Sequence, residues 1–203
     1  SSIVSLLNTA HHVPGTLKPV LVNQQFEQQP TDLTKVYTVD YDMKQTEIIM
    51  LSKSRGYDKN LVPIVRLFNE YFGGSMNSIV FQEIRESKGL AYSAYAGYRN
   101  PVQPYQNFYL FSYIGTQLDK LPEAMKAMMG LFNNTPESEK ALNSSKEAII
   151  NKIRTERITK SQVLFAYLSA QKFGLNYDIR KDVCEKVPSM TFADLKAFQN
   201  QYI

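Results

Sequence analysis

The sequence predicts an α+β domain, a mainly antiparallel sheet covered on one face by helices. Three observations predict it. Strand-like segments come in pairs, helical patterning separates and follows those pairs, and the apolar faces of the helices would be buried by packing on one face of a sheet. The resulting order is β-β-α-α-β-β-α-α-α-α.

Taken in order, "SSIVSLLNTAHH" reads as a short helix ended by "VPG". Pro14, Pro19 and Pro30, with Gly15 and glutamine-rich spacing, then make residues up to 33 a linker or extended lead-in. "TKVYTVDYD" alternates, with Val36, Thr38 and Asp40 on one side and Tyr37, Val39 and Tyr41 on the other, and reads as a first strand. "QTEIIMLSKS" reads as a second. "DKNLVPIVRLFNEYFGG" sets Leu61, Ile64, Val65, Phe68 and Phe72 at helical spacing, with Gly73-Gly74 as the stop. "SMNSIVFQEIRESKG" follows as a helix capped by Ser75 or Asn77 and ended by Gly89. "LAYSAYAGYR" and "NFYLFSYIGT" are strands rich in tyrosine and phenylalanine, as strands prefer. The rest is helical: "LDKLPEAMKAMMGLFNN", then "TPESEKALNSSKEAIINKIRTER" with Thr135 as N-cap and Pro136 at the first helical position, then "SQVLFAYLSAQKFGL", a turn-rich piece, and "TFADLKAFQNQYI". Two parts result, residues 1–33 as N-terminal helix and linker and residues 34–203 as the α+β domain.

Bulk composition narrows the functional classes. With 43% hydrophobic and 21% charged residues over 203, the chain has the composition of a globular protein and room for one large domain with a full core, or two small ones. A net charge of +4, with acids and bases interspersed, argues against a nucleic-acid partner, since no basic stripe is present. No apolar run approaches the roughly 20 residues of a membrane span. The single cysteine, Cys184, excludes an internal disulfide and a thiolate zinc site. The chain opens on serine without a signal-peptide pattern and reads as an excised or processed piece.

Several motifs have a chemical and an ordinary reading side by side. His11 and His12, the only histidines, are neighbours and do not share a helix face; no HExxH or HxxEH occurs. "FGGSMNS" reads as a helix stop followed by a cap, or as an anion cradle. Arg85, near the end of one helix, and Tyr92, at the start of the next strand, read either as an Arg–Glu surface pair and a packed strand tyrosine, or as a convergent pair. An arginine has five donors and a tyrosine one. Together they would hold a peptide carbonyl or its developing oxyanion.

The stretch "LFNEYFGGSMNSIVFQEIRESKGLAYSAYAGY" closely resembles the second, non-zinc half of the pitrilysin-like (insulinase-like) zinc peptidases, which include the mitochondrial processing peptidases. The pattern is a helix ending in Gly73-Gly74-Ser75, then Phe81, Ile84-Arg85-Glu86 and Gly89-Leu90-Ala91-Tyr92-Ser93. A looser resemblance runs from about Thr34 to Ile203. It implies an α+β fold of the LuxS/processing-peptidase kind. An earlier unit carrying HxxEH and a distal glutamate would hold zinc, so the zinc belongs to the partner domain and this chain needs no cofactor of its own. The resemblance makes Arg85 and Tyr92 the catalytic and substrate-binding pair, Arg85 stabilising charge and Tyr92 donating to the scissile carbonyl of a peptide inside a closed chamber. It also implies a further strand beyond "FQNQYI". A second function stays open, an inert structural or interaction subunit of the same fold.

Overall fold

The computed structural model describes residues 2–11, 15–16, 18–19, 21–22, 26, 28–30 and 32–203. His12 and Pro14 lie outside them. Helix α1 (Ser2–Ala10) is exposed along its length. The described residues of the lead-in have no regular structure, and the last of them cross an end of the sheet. There Lys53 Nζ donates to the Gln29 carbonyl at 2.9 Å, and Gln28 Oε1 accepts from the Asn107 amide at 2.8 Å.

The first expected strand does not form. Residues 34–43 have no ladder partner among the described residues. The physical reason lies in the pattern itself. Val36 sits on one side and Tyr37, Val39 and Tyr41 on the other, so pairing pays only if both faces are buried. All four are at least 75% exposed.

Three strands form: β1 (Thr46–Gly56), β2 (Ser93–Arg99) and β3 (Asn107–Thr116), antiparallel in the order β1-β3-β2. Ile48 faces Ile114, Tyr95 faces Tyr113 and Ser93 faces Gly115. Period two then sorts the side chains. Ala94, Ala96 and Tyr98 with Phe108, Leu110 and Ile114 are buried beneath the helices, whereas Ile49, Leu51 and Tyr95 lie on the open face. On that face the Tyr95 and Tyr113 rings stack at 5.0 Å, and the Arg99 guanidinium sits 4.0 Å over the Phe111 ring.

Helix α2 (Val62–Phe72) buries Leu67, Phe68, Tyr71 and Phe72 against the sheet. Gly73 and Gly74 end it, both amides donating to the Asn69 carbonyl, at 3.2 and 2.7 Å. Those donors are used, so the glycines form a helix stop and not an anion cradle. A Cβ on Gly73 would sit 2.4 Å from the Ala96 carbonyl oxygen, which is why the helix approaches β2 only with glycine there. Asn69 completes the contact. Its Nδ2 donates to the Tyr98 carbonyl at 3.0 Å, and its Oδ1 accepts from the Tyr98 amide at 2.6 Å. The helix thus covers the edge of β2 that a neighbouring strand would otherwise pair.

The expected helix after the glycines is a helical turn at Ile79-Val80 leading into a π-helix (Phe81–Ser87). Its apolar set is as expected: Ile79, Val80 and Ile84 are buried. Its cap is not. Ser75 Oγ donates backwards to the Glu70 carbonyl at 3.3 Å, and no side chain caps the π-helix.

The remaining helices are α3 (Leu121–Asn133), α4 (Glu139–Thr155), α5 (Lys160–Lys172), α6 (Arg180–Lys186) and α7 (Phe192–Tyr202). Ser138 caps α4 by accepting from the Ala141 amide at 3.2 Å. Thr135, the expected cap, instead donates to the Leu131 carbonyl at 3.0 Å and closes α3. Pro136 is held outside the helix because its carbonyl accepts the buried Tyr71 hydroxyl at 2.6 Å. The turn-rich piece contains α6. The core joins α2, the sheet's inner face, α3, α4, α6 and α7. Helix α5 buries none of its residues.

Candidate functional site

Gly89 creates the site. Its φ of +57° lies in the left-handed region, where glycine carries no Cβ penalty. There the chain leaves the π-helix and turns into β2. The Leu90 amide donates back to the Ile84 carbonyl at 2.9 Å, and the Gly89 amide to the Arg85 carbonyl at 3.1 Å. From the other side Lys120 Nζ donates to the Gly89 carbonyl at 3.0 Å, and buried Thr116 Oγ1 to the Leu90 carbonyl at 2.5 Å. The Tyr92 amide donates to the Gly115 carbonyl at 2.9 Å. The backbone from Arg85 to Tyr92 is therefore held at both ends and in the middle.

Tyr92 and Arg85 both project to the surface. Tyr92 is 55% exposed, and its hydroxyl accepts from Gln117 Nε2 at 3.2 Å. With one lone pair so engaged, the phenolic proton remains for an acceptor outside the protein. Gly89, Tyr92, Gln117 and Lys120 line a cleft of about 220 Å³ at the end of the sheet. Arg85 is not part of that lining. Its guanidinium lies 4.8 Å from the centre of the Phe81 ring, and its Nε is 3.6 Å from a Glu86 carboxylate oxygen. That is the surface pair of the ordinary reading. An ion pair with both partners about half exposed contributes about 0–1 kcal/mol, so Glu86 holds the arginine only weakly.

Gln117 and Lys120 are the members that sequence reasoning missed. A signal existed. Once the two tyrosine-rich strands pair antiparallel with Ser93 opposite Gly115, the residues before Ser93 must lie beside those after Gly115. Among the described residues no three His, Cys, Asp or Glu side chains gather as a metal site would need. The described residues offer no cluster that fits a zinc ion, and no step is assigned to one in this chain.

The family model of the Peptidase M16 inactive domain matches residues 5–170. The chain belongs to that family. A curated relative, the uncharacterized zinc protease YmxG of Bacillus subtilis (strain 168), is 34% identical over 82 residues, which are 40% of this chain and 20% of that protein. Two solved structures share the fold of this M16 inactive domain. The peptidase M16 inactive domain from Pseudomonas fluorescens superposes with a TM-score of 0.66 at 18% identity, covering 80% of this chain and 39% of that one. The inactive peptidase domain of a putative zinc protease from Bordetella parapertussis gives 0.62 at 10% identity, over 78% and 86%. The M16 inactive domain described here therefore spans well under half the length of the first two relatives.

Proposed function

We propose that this M16 inactive domain is the substrate-holding half of a zinc metalloendopeptidase, completing a catalytic site whose zinc is held by a separate HxxEH-bearing domain. A peptide lies across the end of the sheet, within a chamber closed by that second domain. The Tyr92 hydroxyl donates to the scissile carbonyl, and Arg85 swings from Glu86 to neutralise the charge that develops on it. Donors already in place where charge appears lower a barrier without reorganisation. The observation that carries this reading is the Gln117-to-Tyr92 hydrogen bond, in which the phenolic oxygen accepts and its proton is left for an acceptor that enters the cleft. Lys120 adds a cation to the same side of the site.

The test combines this chain with its HxxEH-bearing domain and follows cleavage of an internally quenched peptide. Tyr92→Phe and Arg85→Ala are each expected to lower kcat/KM about 10²-fold, as loss of one oxyanion donor does. Unchanged turnover in both variants would overturn the assignment and leave the structural-subunit function.

A further inference from the structure

The cleft beside Tyr92 holds a single charge. Of the residues that line it, Gly89, Leu90, Ala91, Tyr92, Gln117 and Lys120, only Lys120 carries a formal charge. Asp119, next to it in the chain, is exposed and takes no part in the lining. Among the described residues no carboxylate lies within 4.0 Å of the Lys120 ammonium. Its charge is therefore not neutralised by a neighbouring side chain.

The ammonium is held at a set place. Lys120 ends a short helical turn, Leu118–Lys120, and its amide donates to the Gln117 carbonyl at 3.1 Å. Gln117 is the residue whose side chain donates to the Tyr92 hydroxyl. Lys120 is half-buried, and its Nζ donates to the Gly89 carbonyl at 3.0 Å. An ammonium has three donors. One goes to Gly89, and among the described residues the other two have no protein acceptor. A phenol free to hold a carbonyl and an ammonium without an anion thus share one cleft, joined through a single glutamine.

Volume says what enters. A cleft of about 220 Å³ is smaller than the roughly 300–1,000 Å³ that encloses a free small ligand. It fits a side chain of a longer molecule better than a whole small one. An extended peptide advances about 3.3 Å per residue. A peptide with a carbonyl at Tyr92 therefore brings a neighbouring side chain to Lys120. A carboxylate there takes the remaining donors in charge-assisted hydrogen bonds, which are roughly twice as strong as neutral ones. An amide of the same shape keeps the geometry and loses the charge, and a second ammonium is repelled.

We propose that Lys120 selects peptides that carry Asp or Glu close beside the cleaved bond. This rests on the reading that Tyr92 holds the scissile carbonyl. The experiment uses this chain with its HxxEH-bearing domain and internally quenched peptides in which one Asp, Asn or Lys is stepped through the residues on both sides of the cleaved bond. The readout is the Asp-to-Asn ratio of kcat/KM. In the parent that ratio is expected to reach about tenfold at the favoured position, as one hydrogen bond to a charged group contributes, and to shrink as salt is added. Lys120→Gln should bring it to about one, Lys120→Arg should keep it, and Lys120→Glu should turn the preference to Lys. Loss of the Gly89 contact alone would slow all peptides alike and leave the ratio unmoved. Tyr92→Phe should lower turnover of every peptide and keep the ratio, which separates failure here from failure of the catalytic assignment. The same peptides, labelled for fluorescence anisotropy, are also bound after the zinc is chelated, so that an assembly that does not cleave is judged by its Asp-to-Asn ratio of dissociation constants. A parent ratio within twofold of one, or a ratio that Lys120→Gln and Lys120→Glu leave unmoved, would overturn the proposal.

Discussion

At Gly89 one backbone angle sets the direction of a side chain three residues away. A Cβ at that position would meet no atom within 4 Å, so the obstacle to substitution is the φ of +57° alone. For an L-residue that conformation costs about 1–2 kcal/mol. Gly89→Ala is therefore expected to lower the melting temperature by several degrees. It should also shift the turn that carries Tyr92, so kcat/KM should fall by more than the stability loss explains; melting and peptide cleavage measured together check both. The glycine stop was legible in the sequence because a glycine after a charged helical segment has few other uses. Asn69 was not legible. An asparagine within a helical pattern reads as a water-facing residue, and only the folded arrangement brings its amide to both backbone groups of Tyr98. Gln117 was missed for a related reason, since its role depends on the register between two strands.

At the scale of elements, apolar spacing carried α2 and the buried face of the π-helix, and richness in tyrosine and phenylalanine carried β2 and β3. Two elements departed from their pattern because pattern records what a segment would bury, not whether a neighbour is there. Residues 34–42 alternate like a strand but stay exposed, and α5 turns its large side chains outward. The connection on either side of α5 depends on one ionic knot, which makes a testable point. Asp178 and Glu156 both bond Arg180, drawing the end of α4 to the start of α6. The Arg180 hydrogen bond holds the Asp178 carboxyl below the usual carboxylate range. Because its folded pKa lies below the unfolded one, its contribution is present at neutral pH and is lost as pH falls through the folded value, below about 4. Urea unfolding across pH 2–7 should show Asp178→Asn less stable at neutral pH, with a shallower decline on acidification than the parent. Parallel declines would remove the knot from the account.

For the molecule as a whole, the last helix joins what the chain order keeps apart. The Phe198 ring lies 5.3 Å from Phe68 on α2 and 5.1 Å from Tyr98 on β2. The Tyr98 hydroxyl donates to Ser54 Oγ on β1 at 2.6 Å, and Arg55 Nη1 donates to the Tyr202 hydroxyl at 3.1 Å. Thus α2, α7 and β2 share one aromatic cluster to which β1 is hydrogen-bonded, and α5 stands outside it. Removing a buried phenylalanine side chain costs about 3–5 kcal/mol, a large part of the roughly 5–15 kcal/mol that stabilises a domain. Phe198→Ala is expected to lower stability by that amount while keeping a single transition, because no half of the cluster holds without the other. Far-ultraviolet circular dichroism and tyrosine fluorescence should then report the same midpoint. Two separated midpoints would show that the sheet and the C-terminal helix unfold independently, and the cluster would no longer account for the cohesion of the fold.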